Sequence, residues 1–191
     1  MSNDQTDTNN ANRHMGPNDG ATAEPISEEE LIRAEADAHF GESNNIIKNH
    51  VIAAMAVGMV PVPVIDIVGL IGLQIKMVHN LAYHYDIEFS QNLVKSLVVS
   101  LIGGALPVAT VAAASLLKSV PGIGTIAGVA SVSVLSGAIT YAVGRVFMQH
   151  FESGGTLINF NPTQMRQHFK DEMEQGKLVA TSLKHKEDQK E

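Results

Sequence analysis

The sequence predicts an all-α protein that contains apolar helical hairpins. Between Ser96 and Gly144 the only charged residue is Lys118. On either side of it lie two apolar stretches, Ser96–Leu117 and Ile123–Gly144. As helices of about 22 residues, each would be roughly 33 Å long, which matches a hydrocarbon core of about 30 Å. We therefore expect two helices that cross a bilayer and fold back on each other.

Small residues are spaced for close contact between these two helices. They recur every four positions through Ser96, Ser100 and Gly104, while Gly124 and Gly128 form a Gly-x-x-x-Gly pattern. Residues four apart lie on one stripe of a helix, where small side chains let two backbones approach closely. A general excess of small residues in apolar helices is the alternative. The predicted helix-packing positions are Gly104, Gly124, Gly128 and Gly137.

The chain before the hairpin begins with a segment that we expect to be disordered. Residues 1–26 form an acidic tail rich in Asn, Asp, Thr and Gly, with too few aliphatic side chains to offset the entropy of ordering. Ser27 and Glu30 form a capping-box pattern, which predicts a short acidic helix that ends near Gly41. We assign residues 27–151 to one helical, membrane-associated domain.

A second apolar region, residues 46–85, is interrupted by Pro61 and Pro63. The stretch before the prolines is too short for a comfortable span, and the helix predicted over 64–85 carries a polar stripe. The region could form a second hairpin, a re-entrant element or two helices at the membrane interface. Asp66 is either a functional acid at bilayer depth or a first-turn residue that the helix dipole favours.

These residues carry a resemblance to a bacterial family. The pattern Pro-x-Pro-x-x-Asp, the later Gln-x-Lys-Met and the Leu-Ala-x-x-Tyr at 81–85 resemble domain-of-unknown-function family 697 over about Ile46–Phe151. The resemblance implies a membrane-associated helical domain, which in that family is often fused behind a small GTPase domain. The candidate functional motif consists of Pro61, Pro63, Asp66, Gln74 and Lys76.

The chain departs from the family pattern in two ways. It lacks the GxxxxGK[ST] phosphate-binding motif of a GTPase, so the resemblance implies a separately encoded GTPase as partner. Asp86 also stands where the family often has Gly.

The C-terminal region is predicted to be an amphipathic helix. Asn161 is a good N-cap, with Pro at the next position, and an apolar stripe follows until Gly176. Residues 152–176 are therefore assigned to a loop and this helix, and 177–191 to a charged tail. The helix could lie on a membrane surface or pack against the domain.

Composition and motifs argue against enzymatic chemistry. The chain has no cysteine, and its net charge of −7 is opposite to that of a nucleic-acid-binding face. No zinc-ligand spacing, nucleophile elbow or dinucleotide fingerprint is present in the sequence. We expect no catalytic residues, no metal and no cofactor.

The sequence thus predicts an integral membrane scaffold or regulator that is not an enzyme. Arg145 and six Lys/Arg after position 160 place the C-terminus inside, so both termini of a multi-pass protein of the cell inner membrane would be cytoplasmic. The expected partners are membrane lipid, a GTPase and further copies of the chain. The alternative is a soluble or peripheral helical bundle that binds or inserts into lipid.

Overall fold

A computed structural model describes residues 27–59, 63–105 and 125–189. These residues form five helices and no strand, which confirms the all-α prediction. The predicted disordered tail, the turn at Lys118 and the packing position Gly124 lie outside the described residues. The helices are α1 (Glu28–Met59), α2 (Pro63–His84), α3 (Gln91–Ala105), α4 (Thr125–Glu152) and α5 (Pro162–Asp188).

Helix α4 forms the centre of the bundle. Every residue from Val132 to His150 is buried or half-buried. Helix α1 covers one side of α4 and α5 covers another. Apolar area removed from water stabilises by roughly 25 cal/mol per Å², so this helix contributes much of the core. Its fully buried apolar side chains are Ala138, Ala142, Val143, Val146, Phe147 and Met148.

Glycine and serine let α1 approach α4 closely. The Ser133 hydroxyl donates a hydrogen bond of 2.9 Å to the Met55 carbonyl. A Cβ atom on Gly137 would lie 2.7 Å from Met55 Cγ, and one on Gly144 would lie 2.8 Å from Ile47 Cγ1. These contacts pair the C-terminal part of α1 with the N-terminal part of α4, so the two helices are antiparallel.

Contacts of the same kind show the orientation of the other helices. Helix α5 is antiparallel to α4, since Gly176 contacts Ala138 while Arg145, further along α4, faces Glu172. Helix α2 is antiparallel to α1. One end of the bundle, which we call the apolar end, therefore holds the C-termini of α1 and α5 and the N-termini of α2 and α4. The opposite end, the polar end, holds the C-termini of α2 and α4.

The two arms of the predicted hairpin pack mainly on other helices and not on each other. Helix α3 packs mainly on α5 and α2, while α4 packs mainly on α1 and α5. Among the described residues, no helix combines the length and the apolar content required to cross a membrane. The predicted multi-pass hairpin therefore finds no support in this part of the chain, because α1 and α5 take up the faces through which the arms were expected to meet.

The prediction that the first helix ends near Gly41 is wrong. The capping box is present, since the Ser27 amide donates to Glu30 Oε2 and the Glu30 amide donates to Ser27 Oγ. The helix then continues through Gly41 to Met59. An interior glycine costs only about 1 kcal/mol relative to alanine, and the burial of later α1 residues outweighs it. The region 46–85 thus contributes to two antiparallel helices of the bundle.

Helix α5 begins as predicted but does not end as predicted. The Asn161 side-chain oxygen accepts hydrogen bonds from the amides of Thr163 and Gln164, and Pro162 is the first helical residue. The helix continues beyond Gly176 to Asp188, because Gly176 and Ala180 pack against α4. Its apolar stripe, Met165, Phe169 and Met173, packs on the core, so of the two alternatives the structure favours packing against the domain.

Two helices end in the same backbone motif with different residues. After α2, the Ile87 amide donates to the Ala82 carbonyl and Asp86 adopts a left-handed φ of 54°. After α4, Gly154 takes the equivalent position with a φ of 77°. Glycine is the usual residue there because it has no Cβ to clash, so Asp86 stands where the conformation favours glycine. This backbone turn places Tyr85 at the polar end.

A pair of glycine substitutions tests the packing of α4. Gly176→Ala should lower the free energy of unfolding by about 1 to 3 kcal/mol, because the new Cβ would lie 2.8 Å from the Ala138 carbonyl oxygen. Gly41→Ala is the matched control: a Cβ there meets nothing within 4 Å, and we expect a gain of about 0.5 to 1 kcal/mol. Urea denaturation of both variants measures the difference, and equal effects would contradict this packing.

Candidate functional site

A chain of hydrogen bonds joins three helices at the polar end. Ser43 Oγ of α1 lies 2.9 Å from the Tyr85 hydroxyl and 3.1 Å from the His39 carbonyl, and its single proton serves these two acceptors. Tyr85 donates its phenol proton to Glu152 Oε1 over 3.1 Å. Because α1 and α4 run antiparallel, Ser43 and Glu152 lie at the same level on either side of Tyr85.

Two histidines extend this cluster on its outer side. The rings of His39 and His84 stack with their centroids 3.8 Å apart. His84 Nε2 donates to the His39 carbonyl over 3.0 Å, which leaves Nδ1 facing Glu42 Oε2 at 3.6 Å. We call Ser43, Tyr85, Glu152 and the two histidines the tyrosine cluster.

The tyrosine cluster changes the acidity of its central phenol. Burial raises the pKa of Tyr85 above its ordinary value of 10.0, and the negative charge of Glu152 acts in the same direction. The hydrogen bond from Ser43 and the charge of Arg145 oppose this shift without cancelling it. Tyr85 is therefore a stable proton donor, since burial disfavours the phenolate.

A second polar group, centred on Arg145, lies beside the tyrosine cluster. Arg145 Nη1 donates to Asn44 Oδ1 over 3.3 Å, and its Nε lies 3.6 Å from Glu172 Oε2. The guanidinium carbon also lies 5.8 Å from the centre of the Phe40 ring. One cation on the central helix thus contacts both α1 and α5, and it fixes their register at the polar end.

The arrangement is suited to holding protons and joining helices. Within the described parts of the chain, no group of three or more His, Cys, Asp or Glu side chains is placed to hold a metal ion. The groups that meet are a neutral phenol, carboxylates, imidazoles and a guanidinium, linked through hydrogen bonds. Such a network fixes the angles between helices.

The structure distributes the predicted motif over different environments. Pro61 lies outside the described residues, Pro63 is the first residue of α2, and Asp66 follows in its first turn. Gln74 is buried, and its side-chain oxygen has no hydrogen-bond partner within the described residues. Lys76, two positions later, is exposed. Gln74 and Lys76 therefore face the core and the surface respectively, and the functional role of the motif stays a prediction.

The predicted packing glycines also differ in their surroundings. Gly137 contacts Met55 and Ala180, whereas a Cβ on Gly104 would overlap the Arg166 guanidinium. Gly128 lies in α4 beyond the residues whose side-chain surroundings are described. Gly58 is a further packing position that was not predicted, since a Cβ there would lie 2.9 Å from Ser136 Oγ.

The residues of the tyrosine cluster were also missed. Tyr85 belongs to the Leu-Ala-x-x-Tyr pattern, but Ser43 lies 42 positions before it and Glu152 lies 67 positions after it. The pattern itself marked the tyrosine, and a tyrosine at the end of an apolar helix needs a hydrogen-bond partner. Only the antiparallel packing of α1 and α4 shows which residues supply one.

Substitution of Tyr85 should change how stability depends on pH. A folded-state pKa raised above 10.0 means that the folded state holds the phenol proton more tightly than the unfolded chain. This contribution is complete below about pH 10 and is lost as the pH rises through the folded-state pKa. Chemical denaturation from pH 8 to pH 11 should show a steeper loss of stability for the wild type than for Tyr85→Phe.

Tyr83→Phe is the control, because the Tyr83 side chain is 83% exposed. That variant should keep the wild-type pH dependence. At pH 8, Tyr85→Phe should cost about 1 kcal/mol through the lost hydrogen bonds. If the free energy of unfolding falls equally with pH for the wild type and Tyr85→Phe above pH 10, that result would contradict the raised pKa of Tyr85.

Comparisons with known proteins cover most of this chain. The model of a family described as "Domain of unknown function (DUF697)" matches residues 29–177, which include α1 to α4 and more than half of α5. Magnetosome membrane protein 22 of Magnetospirillum gryphiswaldense is 39% identical over 144 residues, or 74% of each chain. No solved structure matches. The family match covers more residues than the resemblance seen in the sequence, and it includes every residue of the tyrosine cluster.

Proposed function

The chain belongs to the DUF697 family, and on this premise we propose that it is a membrane-associated helical protein without catalytic activity, which acts as a scaffold or regulator. In this proposal the apolar end of the bundle contacts lipid. The polar end, with the tyrosine cluster, faces away from the membrane.

The observation that carries the proposal is the way apolar sequence is distributed along the bundle. Met59 ends α1, Pro63 begins α2 and Thr125 begins α4, and these three helix ends lie at the apolar end. In the sequence they flank residues 60–62 and follow residues 106–124. Lys118 is the only charge in residues 106–124, and residues 60–62 carry none. The opposite end carries Glu42, Glu152 and Arg145. Lys184 and Lys186, near the C-terminus of α5, also lie at the apolar end, where cations suit the headgroups of anionic lipids. Apolar sequence beside cations favours contact of this end with a bilayer.

The similarity to a known relative supports membrane association. Magnetosome membrane protein 22 is named as a membrane protein, and its alignment covers 74% of this chain. The sequence predicted a multi-pass protein, whereas this proposal attaches the bundle to the membrane at one end. Residues 106–124 provide the main contact with lipid.

The polar end is the surface that remains for a partner in this arrangement. A separately encoded small GTPase is the partner that the family resemblance implies. A protein held by its apolar end would present the surface around the tyrosine cluster, including the exposed Glu42, to such a partner. The proposed role is therefore to hold that partner near the membrane.

Fractionation of cells that express the full chain tests membrane association. We expect the wild type to sediment with membranes, and the double substitution Leu116→Asp/Leu117→Asp to move several-fold more protein to the supernatant. Each buried carboxylate in lipid costs a few kcal/mol, which explains the direction. Ile158→Asp is the matched control, because Ile158 is a fully solvated apolar residue in the loop between α4 and α5.

Washing the membranes separates two kinds of attachment. Retention in alkaline carbonate indicates insertion into the bilayer, whereas release by carbonate but not by high salt indicates an apolar contact at its surface. Thermal unfolding of the purified variants checks that the bundle is intact. Recovery of the wild type in the first supernatant would contradict the proposal.

A further inference from the structure

One face of α1 stays exposed over the last four turns or so of the helix. The residues that point into the bundle from these turns are buried, and they include Ile47, Val51, Ala54 and Gly58. The exposed residues on the opposite side of the helix are Asn45, Asn49, Ile52, Ala56 and Met59. We call these five residues the α1 seam.

The α1 seam has the spacing of a coiled-coil contact. Its members follow one another at intervals of 4, 3, 4 and 3 residues, and none of them is charged. At about 100° per residue they form a single stripe about 21 Å long. Leu183 of α5 lies beside this stripe and lines a groove with Ile52, Met55, Ala56 and Met59. A second helix with the same spacing would fit such a stripe.

The polarity of the α1 seam changes along its length, and this change indicates what covers it. Asn45 and Asn49 are amides, whereas Ile52 and Met59 are apolar and remain 37% and 39% exposed. In a parallel pair of identical helices each seam residue faces its own counterpart, so amides meet amides and apolar side chains meet apolar side chains. An antiparallel pair would set Asn45 against Met59 and leave the amide without a partner, which costs free energy.

The charge before the α1 seam sets where such a contact ends. The same spacing continued towards the N-terminus reaches Glu42, and two copies of this carboxylate would repel each other across the pair. The contact therefore begins at Asn45 and extends to Met59, the last residue of α1. A parallel pair also directs both apolar ends to one bilayer. This second reason for the direction rests on the proposed function, whereas the pairing of like with like does not.

We propose that two copies of the chain pair in parallel along the α1 seam. The two-fold axis passes beside Ile52 and runs along the bundle, so that the assembly closes as a dimer. The seam supplies five residues from each copy, far fewer than the roughly 20 to 30 of a standard interface. The pair is therefore weak in dilute solution, and attachment of both copies to one bilayer strengthens it by raising their effective concentration.

Cysteine crosslinking in the full chain tests the pairing, because the natural sequence contains no cysteine. Asn45→Cys, Ile52→Cys and Met59→Cys each place one thiol on the seam. Under mild oxidation each variant should form a disulfide with its own kind, both in vesicles and in concentrated purified protein. The yields should be several-fold higher than for Lys48→Cys, which is exposed on the same helix outside the seam, and for Ser100→Cys on α3.

Mixtures of two variants test the direction of the pair. Differently tagged Asn45→Cys and Met59→Cys copies should give little mixed disulfide, because about 21 Å separates these positions along a parallel pair. An antiparallel pair would join them efficiently and would prevent Asn45→Cys from linking to its own kind. That result would overturn the proposal.

Like charges placed on the seam should separate the two copies. Asn49→Glu, added to Ile52→Cys, should lower the crosslink yield several-fold because two carboxylates would meet at the axis. A mixture of Asn49→Glu copies with Asn49→Lys copies should restore the yield, which misfolded variants could not do. Asn92→Glu is the matched control on the exposed face of α3, and it should leave the yield unchanged.

Seam yields no higher than that of Lys48→Cys would overturn the proposal, as would a yield that Asn49→Glu does not change. Protection of Ile52→Cys from a water-soluble maleimide, in protein that gives no crosslink, would also overturn it by assigning the seam to another occupant. Crosslinks at the seam in concentrated protein that does not bind vesicles would contradict the proposed function and still support the pairing.

Discussion

Burial of α4 between α1 and α5 is the constraint on which the rest of the structure depends. The helix is covered on all sides from Val132 to His150, and small residues set how closely its neighbours approach. Gly137 and Gly144 admit Met55 and Ile47 of α1, while Gly176 of α5 lies against the Ala138 backbone. Each of these sites would be overpacked by a single methyl group. The central helix is apolar because protein surrounds it, not because it must face lipid over this range.

The same burial brings the polar residues together at one end. Arg145 is carried by α4 to a position where Asn44 and Glu172 can reach it from two sides. Glu152, two turns further along, meets Tyr85 and through it Ser43. A partly buried charge is stable only with partners, so a shift of α1 or α5 along α4 would separate these groups. The polar end therefore reports on the register of the bundle.

Local signals in the sequence predicted the elements whose causes are local. The Ser27–Glu30 capping box, the Asn161 cap and Pro63 at the first position of α2 mark where three helices begin. Gly41 and Gly176 were misread as helix ends, because a glycine favours a helix end where the glycine itself adopts the left-handed conformation. Gly154 and Asp86 adopt that conformation, whereas Gly176 instead meets a neighbouring helix. The sequence could not predict which helices pack together either, because both lipid and protein can cover an apolar helix. For the same reason Tyr85 was visible in its motif while Ser43 and Glu152 were not.

The two ends of the bundle give the protein its direction: an apolar end for lipid, and a polar end whose hydrogen bonds fix the helices. The central claim is that protein, not lipid, surrounds α4 between Val132 and His150. Photolabelling of the membrane-bound protein with a carbene probe dissolved in the bilayer, followed by mass spectrometry of its peptides, tests this claim most directly. The account predicts that this stretch of α4 stays unlabelled while label enters the sequence at the apolar end. Labelling of Ala138, Ala142 or Val146 to the same extent as the sequence at the apolar end would contradict this claim.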